Sequence, residues 1–383
     1  MTASSALDAE ADAEYDCIVV GAGPAGSTVA RELARGGARV LLVDRASFPR
    51  PKVCGCCVNL RALEILARAG LGDLVERLGA LPLTSLMLAA GGPRALIRHP
   101  LGAVVSREAF DAALAGAAVE AGAEFPAATS ALLRPVVSPD HRAVRLDRNG
   151  RSWEARARFI VSATGLTDAL FPRELQSPAA PRGKLGAGAI APEAPAGYEP
   201  NRIYMACGVE GYVGLVVLED GRLDLAAALR PEAVREAGGV GPLAERVVAG
   251  AGLPPVPGAS GLPWRGTPIL TRSPRRLVEG RVYRVGDSAG YVEPFTGEGM
   301  AWAIAGGRAL GMILLDALKP DASAEEAARA WKRAHRREVG RRQMVCRLAS
   351  RTLRAPWATR TLIRVLSLGP GLARPPLAIM RRV

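Results

Sequence analysis

The period of hydrophobic and polar positions changes several times along the 383-residue chain. Ile18, Val19 and Val20 form a short unbroken apolar run, the pattern of a strand buried on both faces, and "RVLLVD" at 39–44 repeats it. Between them a helical pattern from Pro24 to about Arg35 stops at Gly36-Gly37, where glycine takes the left-handed cap. A helix is also predicted from Asn59 to about Ala69, another across "SREAFDAALAGAAVEAGAEF", and a strand across "ARFIVSATG". From about 171 to 275 proline and glycine become frequent, and "GYVGLVVLEDGRLDLAAAL" alternates around an Asp-Gly turn as a hairpin does. The chain then returns to a strand, a glycine-rich loop and a long apolar helix.

This succession predicts an α/β protein: a Rossmann-type dinucleotide-binding domain with an inserted, mainly antiparallel substrate domain and a C-terminal helical tail. The expected boundaries are a disordered lead at 1–13, the first domain at 14–80, 101–170 and 276–318, and the substrate domain at 81–100 and 171–275. A basic helical region covers 319–383.

Composition adds limits. A hydrophobic fraction of 49% and charged fraction of 23% are ordinary for a globular protein. No run reaches the roughly 18 apolar residues of a membrane span. Six scattered cysteines behind a small, polar, acidic N-terminus do not form a secreted disulfide framework, so a cytoplasmic protein is expected. The net charge of +13 lies entirely in 331–383, which holds one lysine and thirteen arginines against one glutamate. Arg347, Arg351 and Arg354 share one helical face, with Met344 and Leu348 on a neighbouring stripe. That pattern suits a solvated helix packed on the body, peripheral contact with an acidic membrane surface, or an acidic carrier. With no zinc-finger, helix-turn-helix or RNA-binding signature, nucleic acid is not expected as a partner.

Candidate chemistry begins at Gly21-Ala-Gly23-Pro-Ala25-Gly26, which follows a strand and opens a helix. The first glycine permits the turn, the second lets backbone approach a pyrophosphate, and the third lets helix and strand pack closely. Asp44, followed by Arg45, ends the second strand where an acidic side chain accepts hydrogen bonds from a ribose. The fingerprint alone separates neither NAD from FAD. Together with "GDSAGYVEPFTGEGMAWAI" at 286–304 it resembles the FAD-binding segments of the geranylgeranyl reductase family, within the para-hydroxybenzoate hydroxylase-like flavoproteins. The resemblance spans about 14–318 and implies FAD as cofactor. It implies contacts from Gly286 and Asp287 to the ribityl and phosphate region, and from Pro294, Gly297, Gly299 and Met300 near the ring. It also implies that Arg107 reaches FAD from a helix start, and that Thr164 and Gly165 pass near the adenine side.

The segment Lys52-Val-Cys54-Gly55 matches the start of the "K-x-C-G-G" segment that this family carries between substrate and flavin. Cys56 and Cys57 stand where glycine or another small residue is more usual. A zinc site lacks a second cysteine pair, and a dithiol relay lacks the thioredoxin context. Small buried residues and a thiol lining the active site, as proton donor or covalent tether to the flavin, also fit the loop. Cys54 is the first candidate donor, with Cys57 and Tyr212 behind it. Tyr212 survives from the family's "Y-x-W-x-F-P" segment, whose tryptophan, phenylalanine and proline are absent here. A wider, apolar pocket follows. The resemblance thus implies an FAD-dependent oxidoreductase that reduces or desaturates a C–C bond of a hydrophobic substrate by hydride transfer at flavin N5. The alternative is a monooxygenase or halogenase-like enzyme acting on an aromatic or polyketide-type secondary metabolite; the hydroxylase "G-G-x-G-x-N" and halogenase "W-x-W-x-I-P" segments are both missing. "GAGAI" at 186–190 makes no second nucleotide fold, so electrons are expected from transiently bound NAD(P)H or another reductant.

Overall fold

A computed structural model describes residues 14–136, 138–293, 295, 297–352 and 356–369. In chain order, β1 (Glu14–Val20), α1 (Pro24–Arg35) and β2 (Val40–Val43) form the opening unit, followed by β3 (Cys57–Asn59), α2 (Leu60–Arg68) and α3 (Leu74–Arg77). Next come β4 (Leu81–Ala89), β5 (Arg94–Val104), α4 (Arg107–Glu120), β6 (Ser130–Leu133), β7 (Arg142–Arg148) and β8 (Arg151–Ser162). The middle holds β9 (Leu185–Ala191), β10 (Arg202–Cys207), β11 (Gly211–Val217), β12 (Leu223–Leu229), α5 (Pro231–Glu236), α6 (Val240–Gly250) and β13 (Arg265–Ile269). The chain closes with β14 (Val278–Glu279), β15 (Val282–Arg284), α7 (Gly299–Ala317), α8 (Ala324–His335), α9 (Arg341–Thr352) and α10 (Pro356–Leu368).

Two sheets face each other. The first runs β14-β15-β8-β1-β2, parallel across its β15-β8-β1-β2 core, with the β6–β7 ribbon continuing from the early part of β8. The second, ordered β13-β9-β12-β11-β10-β4-β5-β3, is antiparallel except where β10 meets β4. The Asp-Gly hairpin forms as expected, with Val217 opposite Leu223. The first-domain stretches 14–80 and 101–170 each send a piece into the second sheet. Cys57–Asn59 pairs with Gly102–Val104, so strand pairing, rather than chain order, sets where the two layers divide.

The N-terminal lead and the end of the basic tail lie outside the described residues. Of the proposed stripe, Arg347 and Met344 are exposed; the side chains of Leu348, Arg351 and Arg354 also lie outside. The helix α7 is long and apolar enough to cross a bilayer, yet it is a core helix. A Cβ on its Gly307 would stand 2.6 Å from the Ala25 carbonyl, and one on Gly311 2.8 Å from Glu32 Cβ, so these glycines let α7 press directly on α1.

Trp331 of α8 is fully buried against this core, and His335 one turn later meets it edge to face at 5.4 Å. Burial, with no partner for Nε2 among the described residues, pushes the His335 imidazole down from 6.5 to about 4. A base whose folded value is depressed is protonated first in the unfolded chain. Its contribution is therefore full above pH 6.5 and falls away as pH drops toward 4. The difference amounts to about 3 kcal/mol. Chemical denaturation of His335→Met should accordingly show a smaller loss of stability than the parent between neutral and mildly acid pH; equal losses would contradict this assignment.

Candidate active site

A cavity of about 2090 Å³ lies between the carboxyl ends of the parallel strands and one face of the second sheet. Single small-ligand pockets measure about 300–1,000 Å³, so a dinucleotide and a second molecule fit together. Gly21, Gly23, Ala25, Asp44, Arg45, Thr164, Gly165, Gly286, Asp287, Gly297, Gly299 and Met300 all line it. Pro294 lies outside the described residues.

The glycine turn has the shape a phosphate cradle needs. Gly21 takes φ 107°, and a Cβ there would stand 2.3 Å from the Ala163 carbonyl oxygen; one on Gly26 would stand 1.8 Å from the Gly21 carbonyl oxygen. At Gly23 a Cβ would meet only Arg50 Nη2, at 3.7 Å, leaving backbone open toward the cavity. No side chain caps α1, so its first N–H groups and its dipole remain available to an anion. These residues fit FAD. Asp44 is more committed than the ribose role requires: Oδ2 accepts from Ala22 N at 2.9 Å and Oδ1 from Ala46 N at 3.0 Å, bracing the turn. Oδ2 also takes the Arg50 guanidinium, so Oδ1 is the oxygen that keeps a second lone pair for a ribose hydroxyl.

Arg107 lines the cavity as well, held in place by the protein itself. It opens α4, is 6% exposed, and grips Asp111 one turn later with Nε and Nη2, both at 2.8 Å. Arg50 bridges the same Asp111, at 3.3 Å, to Asp44, at 3.5 Å. From this anchored position the Arg107 guanidinium lines the same cavity as Cys54 and lies near enough to act on its thiol electrostatically. The buried carboxylate of Asp111 fixes the fork, and the fork addresses the cysteine loop.

The loop crosses the cavity between the two sheets. Gly55 and Val53 pass over Ala226 and Gly188 of the second sheet, and β3 ties the loop to β5. Cys54 and Cys57 line the cavity, whereas Cys56 is buried. Cys56 also takes φ 51°, the left-handed region where glycine is at ease and another residue costs about 1–2 kcal/mol. This is the position where the family segment carries glycine. The Cys56 thiol donates to Cys54 O at 3.8 Å, and the Cys57 thiol to Gly55 O at 2.7 Å. Burial, reinforced by Asp224 and the neighbouring thiols, pushes Cys56 and Cys57 well up, so both are neutral thiols at physiological pH.

Three features were not recognised as site residues from sequence. Lys52 reaches the cavity beside Gly165; desolvation and Arg107 lower its ammonium, against the pull of Asp287, while burial raises Asp287 itself. Lys184 binds Glu293 at 2.7 Å and lies 5.0 Å from the Tyr212 ring centre, so an ion pair sits beside the Tyr212 side chain. Burial and Glu293 raise Tyr212, and its ring stands edge-on to Phe295 at 5.1 Å. Finally, α10 closes one end: Ile363 and Leu366 pack with Leu88, Ile97 and Met205, while Leu362 and Val365 also line the cavity. The "K-x-C" segment was the available signal for Lys52; nothing local marked the other two.

The cavity face of the second sheet is stripped of bulk. Gly186, Gly214, Ala226 and Ala228 stand among Leu86, Leu88, Ile203 and Met205, while the opposite face carries Leu215, Leu223, Leu225 and Leu229 against α6. Small residues on one face of each strand open the space, and large ones on the other hold the sheet.

This architecture, with a phosphate cradle above a broad apolar chamber, defines a dinucleotide-binding flavoprotein. Residues 14–169 match the FAD binding domain family model. The chain is 28% identical over 332 residues, 80% of its length and 82% of the relative's, to a digeranylgeranylglycerophospholipid reductase of Methanopyrus kandleri. In fold it is similar to a geranylgeranyl bacteriochlorophyll reductase-like protein of Thermoplasma acidophilum, with a TM-score of 0.76, 18% identity, and 93% and 92% of the two chains covered. A p-nitrophenol 4-monooxygenase of Pseudomonas putida shares the fold at a TM-score of 0.75 and 14% identity, over 97% and 98% of the chains. The chain is thus an FAD-dependent oxidoreductase, and the curated relatives it aligns with over most of its length include two digeranylgeranylglycerophospholipid reductases of Methanopyrus kandleri.

Proposed function

We propose that the protein reduces a C=C bond in a long, apolar, prenyl-type substrate, with NAD(P)H as the transient source of electrons. The observation that carries this reading is the thiol loop stretched across a wide apolar chamber at the end of the phosphate cradle. When bound and reduced by NAD(P)H, the flavin would supply the hydride at N5. Cys54 gives the proton: one alkene carbon receives the hydride, the other takes the thiol hydrogen, and the π bond becomes two C–H bonds. The positive charge of the nearby Arg107 guanidinium stabilises the thiolate left behind, and the apolar walls exclude the water that would compete. The likeness to two digeranylgeranylglycerophospholipid reductases over four fifths or more of the chain supports reduction of such lipids. Product analysis tests the proposal. With oxygen excluded and NADPH present, a polyprenyl substrate should gain two hydrogens; a product that gains an oxygen atom, and only in air, would move the chain to the monooxygenases.

The basic C-terminal region supplies a second proposal, peripheral contact with an anionic bilayer. Helix α10 leaves Trp357 74% and Leu368 88% exposed beside Arg360 and Arg364, while its buried side seals the cavity. Truncation near Pro320 would remove the buried Trp331, so point variants are the better probe. Trp357→Ser/Leu368→Ser should float less with vesicles rich in phosphatidylglycerol than the parent protein. Equal flotation, or none by either, would remove this proposal.

A further inference from the structure

A cation in the cofactor pocket stands without a partner. Lys52 lines the cavity just ahead of the cysteine loop, with protein around it and its side chain open to the cavity. Its Nζ lies 3.3 Å from where a Cβ on Gly165 would stand, and it makes no ion pair or hydrogen bond among the described residues. The neighbouring cations are committed: Arg50 to Asp44 at 3.5 Å and Asp111 at 3.3 Å, and Arg107 to Asp111 at 2.8 Å. An ammonium held unpaired in a pocket that protein surrounds calls for an anion that arrives with the ligand. The position of Lys52 selects the diphosphate. Gly165 closely follows Ala163, whose carbonyl oxygen packs against Gly21, the first glycine of the phosphate turn. Lys52 thus stands at the end of β8, between that turn at the end of β1 and Asp287 beyond the end of β15. Charge points the same way. Asp44, Asp111 and Asp287 are met there by Arg50, Arg107 and Lys52, and without the lysine the acids would outnumber the cations before a doubly charged diphosphate arrived.

We propose that Lys52 pairs with the diphosphate of FAD and thereby fastens the cysteine loop to the cofactor. The uncapped N-terminus of α1 offers its N–H groups to the same diphosphate, so the lysine completes a cradle that the glycine turn begins. Cys54 lies two residues beyond Lys52, and β3 holds the far end of the loop to β5. Tied at both ends, the loop presents Cys54 from one place; tied through β3 alone, its near end is free to move. By linkage, a contact that fixes the loop when FAD is bound also tightens the hold on FAD. The inference goes beyond the substrate reading, because it holds whatever molecule the apolar chamber accepts.

The test dilutes the FAD-loaded enzyme and reads release of the cofactor by its fluorescence. Lys52→Met should raise the Kd for FAD about 10- to 100-fold, the worth of one hydrogen bond to a charged group, and Lys52→Arg should recover most of the loss. The Kd of the parent should rise more steeply with salt than that of Lys52→Met, which has one ionic contact fewer. At saturating FAD, amide exchange across residues 52–56 should be faster in Lys52→Met than in the parent. An unchanged Kd, an equal salt response or equal exchange would overturn the proposal. A shifted flavin midpoint potential with FAD affinity unchanged would set the ammonium against the flavin ring, and would overturn it as well. Should Lys52→Met fail to fold, acetic anhydride labelling of the parent decides the matter. Lys52 should resist labelling in the loaded enzyme and react as FAD is released; equal labelling in both would overturn the contact.

Discussion

Arg284→Met should destabilise the protein by about 3–5 kcal/mol, the usual result of stranding one member of a buried ion pair. Arg284 and Asp168 are each 1% exposed and meet at 3.2 Å. The guanidinium also donates to Arg276 O and Leu175 O, both at 2.6 Å, and its centre lies 3.5 Å from the Phe171 ring centre. Asp168 takes φ 47° and accepts from Ser177 N at 3.0 Å. One pair thus ties β15 to the segment that follows the cavity-lining Gly165–Thr167 turn. Chemical denaturation measures the effect. Adding Asp168→Asn to Arg284→Met should recover part of the loss, because the unpaired charge disappears while the Ser177 contact can persist. A loss under about 1 kcal/mol, the scale of an exposed pair, would contradict the structural role assigned here.

The second large effect belongs to the loop. Cys54→Ala should lower kcat about 10²–10⁴-fold, the range for loss of a general acid, with little change in KM. Smaller effects are expected from Cys57→Ala and Tyr212→Phe. The Cys57 thiol is turned to Gly55 O, and Tyr212 sits beside the Lys184–Glu293 ion pair. Stopped-flow turnover of the three variants provides the comparison, with Cys54→Ser expected to restore part of the rate. Full turnover by Cys54→Ala would eliminate it as the proton donor.

These expectations divide according to what a sequence displays locally. The glycine turn, the helix from Pro24 to Arg35 and the Asp-Gly hairpin were legible because the residues that make them are neighbours. Strand β3 was hidden because three residues are too few to show a period, and its partner lies over forty positions away. Asp224 reads as one more polar position in an alternating hairpin until the register turns its face to the chamber. Lys184 and Glu293 are 109 residues apart, and only the fold joins them beside Tyr212. The α10 helix carries two apolar stripes, and composition alone does not say which one the body takes. What remained unread was the assembly of the chamber from distant segments.

The most direct measurement of the central claim is a single turnover under strict anaerobiosis. Dithionite-reduced, FAD-loaded enzyme is mixed with a polyprenyl substrate, and the return of oxidised-flavin absorbance is followed. The account predicts reoxidation at a rate that rises with substrate concentration to a plateau, with one equivalent of saturated product formed per flavin. Flavin that stays reduced until oxygen is admitted, and then yields an oxygenated product, would contradict it.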